Sequence, residues 1–139
     1  AEQEISLLLE LGEVHEELEA PLEAARSFEQ ARLKAEETDD PYGVAQAWLQ
    51  LGNVSRDTGE KRTAANRYDE AQRRFRELDD APSLAVARHR QGSVLAQLGD
   101  LDDARECLTE ALTIYDAVGD DLGCAVVRQA LAAVERQSS

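Results

Sequence analysis

Apolar residues recur along this chain at three- and four-residue steps, broken at intervals by short polar stretches. In "PYGVAQAWLQLGNVSRDTG" the residues Val44, Ala47, Trp48, Leu51 and Val54 keep that step, which lays one buried stripe along an α-helix. Asp40 ahead of Pro41 supplies an acidic N-cap and a proline at the first helical position, and the segment ends near Gly59. The next stretch, "EKRTAANRYDEAQRRFREL", continues the step with Ala64, Ala65, Tyr68, Ala71, Phe75 and Leu78. "LDDARECLTEALTIYDAV" behaves likewise, with Asp100 expected as its N-cap. The links between segments are short, so successive helices must run antiparallel as neighbours. Only the tail "RQSS" is expected to fray.

The pattern has a longer period too. Sliding the chain by forty residues superposes Ala24, Ala64 and Ala104, then Ala31, Ala71 and Ala111. It also superposes Val14, Val54, Val94 and Val134, while Phe28, Tyr68 and Leu108 share one position. Self-similarity of this kind marks stacked supersecondary units. The repeats run at about 5–44, 45–84 and 85–124, followed by a capping helix at about 124–136 that matches the first half of a fourth. Gly12, Gly52 and Gly92 keep the same spacing inside helical stretches, where glycine costs roughly 1 kcal/mol relative to alanine. Close approach of two helices explains that cost, and Ala24, Ala64 and Ala104 are the expected partners of the glycines.

At these residues the sequence resembles the tetratricopeptide repeat family, whose signature runs W-x2-L-G-x2-Y and then A-x3-F. The second repeat gives Trp48, Leu51, Gly52 and Ser55, then Ala64 and Tyr68. The first gives Leu8, Leu11, Gly12 and His15, then Ala24 and Phe28; the third departs from the pattern with polar Arg88 and Gln91. The unit is longer than the usual 34 residues. It is similar in that respect to repeats of kinesin light chains, spindle-orientation adaptors, and bacterial signalling ATPases and transcription activators. The resemblance implies an all-α fold, a right-handed α-solenoid of antiparallel helix pairs, in one domain spanning residues 1–139. Its first helices would line a concave groove.

Carried over residue by residue, the resemblance implies a peptide- or partner-binding face. In the first repeat it holds Ser6, Leu9, Glu13, Glu16 and Glu17, and in the second Gln46, Leu49, Asn53, Arg56 and Asp57. The third adds Val86, His89, Ser93, Ala96 and Gln97, and the last helix Val126, Gln129, Ala133, Arg136 and Gln137. Asn53 suits reading an extended backbone, since its amide both donates and accepts; a solvated polar residue is the other reading. The subclass that grips a terminal carboxylate uses Lys and Asn where Leu9 and Glu13 stand here, so that ligand is excluded.

Charge sharpens the picture. The net charge of −14 argues against nucleic acid and anionic membrane as partners. Residues 5–44 hold 11 acids against 3 bases, whereas residues 45–84 hold 7 of each. Glu13, Glu16 and Glu17 therefore make the first-repeat end acidic and suited to a partner with basic residues. No apolar run reaches the roughly 20 residues of a membrane span, and no signal-peptide pattern opens the chain, which points to a cytoplasmic protein. Methionine is absent, so a processed or excised piece of a larger protein is expected, and the excess of Arg over Lys hints at a bacterial source.

Candidate chemistry is thin. Cys107 and Cys124 form no CxxC pair and have no histidine at ligand spacing, so reduced, buried thiols are expected, with no metal and no cofactor. His15 in "HEEL" aligns with Ser55 and Leu95 as a core or boundary residue. "RRFR" at 73–76 reads as a salt-bridged solvent face beside Glu70 and Glu77, and the paired aspartates at 39–40, 79–80 and 120–121 as helix caps. No phosphate loop or nucleophile motif appears, so no enzyme is expected. The chain reads as a protein–protein interaction module for a peptide or helical segment, in a partner or in its own parent protein. The alternatives are a sensor region of a signalling ATPase or transcription activator, and a structural spacer or self-association unit. For the last, the stripe Val127, Ala130, Leu131 and Val134 would lack cover and invite a homodimer through the C-terminal helix.

Overall fold

The structure is a computed structural model that describes residues 2–138. These form seven α-helices and no strand: α1 (Glu2–Glu17), α2 (Pro21–Glu37), α3 (Pro41–Asp57), α4 (Lys61–Glu77), α5 (Ala81–Gln97), α6 (Leu101–Val118) and α7 (Asp121–Ser138). Successive helices pack as antiparallel neighbours, and beyond those pairs α1 touches α3 and α5 touches α7. The architecture is an all-α solenoid of helical hairpins in which the first helices form the inner layer. The tail runs helical through Ser138 instead of fraying, because the Ser138 hydroxyl donates to the Val134 carbonyl and accepts from Arg105.

One turn, used six times, sets this arrangement. One or two positions past each of the first six helices a residue takes a left-handed conformation, at Glu19, Asp39, Gly59, Asp79, Gly99 and Gly119. Its N–H and that of the following residue then return to the last carbonyls, as Asp39 does to Glu36 (3.3 Å) and Asp40 to Ala35 (2.8 Å). That pair of bonds is the Schellman closure, and its second residue also starts the next helix. Asp40, Asp80 and Asp120 each accept the N–H three residues on, from Gly43, Ser83 and Gly123. Asp39 and Asp79 are thus turn residues and Asp40, Asp80 and Asp120 caps, while Asp121 is the first residue of α7. Asp100 stands at the N-cap as expected, but no side-chain cap bond forms there, and its carboxylate pairs with Arg62 at 2.8 Å.

Glycine relieves the left-handed position at three of the six turns, which leaves strain at the others. Glu19→Gly should therefore raise stability by about 0.5–1 kcal/mol, the relief being partly offset by glycine's freer unfolded state. A urea midpoint that stays put or falls would contradict this.

The core follows the repeat. Ala24, Phe28, Ala31, Ala64, Tyr68, Ala71, Ala104, Leu108 and Ala111 are wholly buried on the second helices. The glycines do sit at close approaches, but their nearest partners correct the expectation. A Cβ at Gly12, Gly52 or Gly92 would strike Phe28, Tyr68 or Leu108. The alanine four residues earlier packs into the same interface one helical turn away. On α7, Val127 and Val134 are fully buried and Ala130 and Leu131 pack partly buried against the same core, so the stripe expected to lack cover already has it. Cys107 and Cys124 are free and buried, and His15 is half-buried.

Candidate binding surface on the first helices

The inner layer is joined by a chain of side-chain hydrogen bonds that crosses the hairpins. Gln50 on α3 donates to Glu13 on α1 (3.2 Å) and accepts from the Asn53 amide (3.2 Å). The Asn53 carbonyl oxygen accepts from the Tyr68 hydroxyl on α4 (2.7 Å) and from Arg90 on α5 (3.1 Å). A buried phenol needs such a partner. Burial pushes the Tyr68 hydroxyl up to about 12 against the pull of Arg56 and Arg90, so it remains a donor at neutral pH.

At the α1 end of this layer lies a cleft of about 400 Å³ lined by Glu16, Glu19, Ala20, Pro21, Val54, Asp57 and Thr58. Burial, and then the Asp57 carboxylate, hold the Glu16 carboxyl above its ordinary value, with Arg56 working the other way. Arg56 itself is turned to Asp57, its Nε 3.0 Å from Oδ1. Glu13 and Glu17 are exposed beside it. At the other end, a smaller cleft of about 220 Å³ is walled by Ser93, Ala96, Ala133 and Val134.

Eleven of the residues named from sequence fall into three groups. Glu16 lines the acidic cleft, the charges of Arg56 and Glu13 act on its carboxyl, Glu17 is exposed next to it on α1, and Ser93 belongs to the second cleft. Leu9, Gln46, Val86 and His89 are half-buried: Leu9 and Val86 pack on the core, Gln46 donates to the Tyr42 hydroxyl, and His89 lies edge-on to Tyr115. Burial, and then Arg90, hold the His89 imidazole below its ordinary value, which leaves it neutral at pH 7. Leu49 and Asn53 are the third group, each only 7% exposed; Leu49 belongs to the core cluster, and the Asn53 amide is already committed. Sequence reading missed Gln50, Tyr68 and Arg90. The signal available was the tyrosine itself, whose hydroxyl, absent from Phe28 and Leu108, required an acceptor nearby.

On the outer side, Arg73 pairs with Asp69 and Glu70, Arg74 with Glu70, and Arg76 with Glu110. The basic cluster is a salt-bridged solvent face, though Arg76 reaches the next hairpin instead of Glu77. Among the described residues no group of three or more His, Cys, Asp or Glu could hold a metal, and no helix is long and apolar enough to cross a membrane.

The tetratricopeptide repeat family model matches residues 83–139, which span α5 to α7. That stretch matches tetratricopeptide repeats and makes up less than half of the chain. The hairpins before it repeat its left-handed turns, and Gly12 and Gly52 meet Phe28 and Tyr68 where Gly92 meets Leu108. No curated protein matches the sequence significantly. Among solved structures, the apo form of RapI superposes with a TM-score of 0.91 at 13% identity, over 98% of this chain and 50% of that one. Aspartyl phosphate phosphatase F from Bacillus subtilis gives 0.86 at 18%, over 89% and 32%. The Rap conjugation gene regulator of the plasmid pLS20, in complex with the Phr* peptide, gives 0.81 at 19%, over 97% and 38%. The repeat chain thus spans a third to a half of the length of these proteins, and at such identities the likeness is one of fold.

Proposed function

We propose that this tetratricopeptide repeat chain works as a single domain, three hairpin repeats and a capping helix, that binds a segment of a partner protein on its inner face. The observation that carries the reading is the acidic cleft. Glu16 lines it with Asp57 and Glu19, and Glu13 and Glu17 extend its charge into solvent. A lysine or arginine of the partner enters there, and apolar residues follow along Leu9, Val86 and Ala96. Asn53 positions Gln50 and Arg90 as the floor instead of reading the peptide backbone. The peptide complex of the fold neighbour from pLS20 supports a segment as the ligand.

A random 12-residue peptide display library, selected on the chain, tests this. Enrichment of Lys or Arg beside apolar residues is expected, with micromolar-class binding that weakens as salt is raised. Joint replacement of Glu13, Glu16 and Glu17 by lysine should lower the affinity of a selected peptide by about tenfold or more. A basic ligand favours ionised carboxylates, so binding should fade as pH falls. The loss should begin above the usual carboxylate range, because the Glu16 carboxyl is raised. Selected peptides indifferent to both charge reversal and salt would refute the acidic site.

A further inference from the structure

The outer face of α1 is unlike its counterparts. Leu7, Leu11, Val14 and Leu18 follow one another at helical steps and are 64%, 46%, 47% and 70% exposed. Forty residues on, Ala47, Leu51 and Val54 occupy the first three of these positions and are buried; eighty residues on, so are Ala87, Gln91 and Val94. In each case a second helix provides the cover. Phe28 and Ala24 of α2 pack on Leu51 and Val54, while Gln72 and the Ala65 carbonyl of α4 bond Gln91. The repeat therefore states what kind of object fits on α1. It is an amphipathic helix with alanines and an aromatic ring along one stripe.

Charge narrows the choice further. Glu2, Glu4, Glu10, Glu13, Glu16 and Glu17 lie on α1, which has no lysine or arginine. Glu10 and Glu17 stand beside the leucine stripe on the side toward the inner face. Two copies of α1 would repel each other, whereas a basic helix would be attracted.

We infer that the Leu7–Leu18 face of α1 is a second docking surface, taken by one basic amphipathic helix of a partner protein laid across it as α2 lies on α3. This surface is separate from the inner face and stands whether or not that face binds peptide. The interface would extend the stacking already present between hairpins, and it would bury four large apolar side chains now in contact with water.

The chain contains a model of such a helix in α4, where Lys61, Arg62, Arg67, Arg73, Arg74 and Arg76 outnumber Asp69, Glu70 and Glu77. A synthetic peptide of residues 60–78 is the probe, with Gln72→Leu because Leu11 stands where Gln91 does. Labelled with fluorescein, it should bind the full chain saturably by anisotropy at low salt. Leu11→Asp should weaken binding by about tenfold or more, and Glu10→Lys should weaken it at low salt only. Tethering the peptide to residue 1 through a flexible Gly/Ser linker makes the docking intramolecular and removes its dependence on peptide concentration. The tethered helix should raise the melting temperature by at least about 3 °C, and Leu11→Asp should abolish the rise. Absence of both peptide binding and the melting shift overturns the proposal. So does dimerisation of the chain alone that Leu11→Asp breaks, since the occupant is then a second copy. Glu13, Glu16 and Glu17 are left untouched, so a failed inner-face selection and a failed helix docking remain distinguishable.

Discussion

Gly52→Val should cost about 3 kcal/mol of stability, the upper range for forcing atoms into a packed core. A Cβ at position 52 would lie 2.6 Å from Tyr68 Cε1, and real Cβ contacts do not come that close. The ring cannot retreat, because Tyr68 is wholly buried and its hydroxyl is tied to Asn53. Two helices must therefore separate, and because α3 and α4 form the central hairpin, the shift reaches both flanking interfaces. Urea unfolding followed by far-UV circular dichroism reads the loss. The ring contact is isolated by repeating the change in a Tyr68→Leu background, where Gly52→Val should cost less by about 1 kcal/mol or more. An equal cost in both backgrounds would mean that neighbours other than the Tyr68 ring explain the glycine.

This contact also shows where sequence reading stopped. Three- and four-residue steps with a forty-residue period established the helices and their antiparallel order, since each stripe can be buried only by a neighbour. They also placed Ala64 and Tyr68 in one interface with Gly52. Which of the two touches the glycine depends on the rotation of α4 about its axis by a fraction of a turn, and spacing does not carry that. Asp100 has the residue type and place of a cap, yet Arg62 is near enough in space to take its carboxylate. Asn53 looked available because its companions across the hairpin lie far off in sequence: Arg90 is 37 positions away. The leucines of α1 expose a deeper limit. Their pattern is that of a buried stripe, and only the structure shows that Ala47, Leu51 and Val54 are covered while Leu7, Leu11 and Val14 are not.

The polar third repeat turns the same logic to stability. Gln91 replaces the leucine found at positions 11 and 51, and its side chain has four partners. Its Oε1 accepts from Gln72 Nε2 (2.5 Å), Arg88 Nη1 (3.1 Å) and the Cys107 thiol (3.5 Å), and its Nε2 donates to the Ala65 carbonyl (3.1 Å). Burial pushes that thiol up to about 11, so it stays protonated and keeps its donor role. Gln91→Leu supplies an apolar side chain where the other repeats have one, yet it strands the buried Gln72 amide. Leaving such groups unpaired costs more than a hydrogen bond contributes, so a loss of about 2–3 kcal/mol is expected. Replacing both Gln72 and Gln91 by leucine removes the stranded amide along with its partner and should return stability to within about 1 kcal/mol of the starting protein. Alkylation of Cys107 under native conditions gives a second readout: faster in Gln91→Leu, where the interface opens more often, and slow again in the double variant. A single variant as stable as the original would show that the network contributes nothing to the fold. In that case the polar residues of the third repeat would have to be explained by the surface they present, not by the interface they fill.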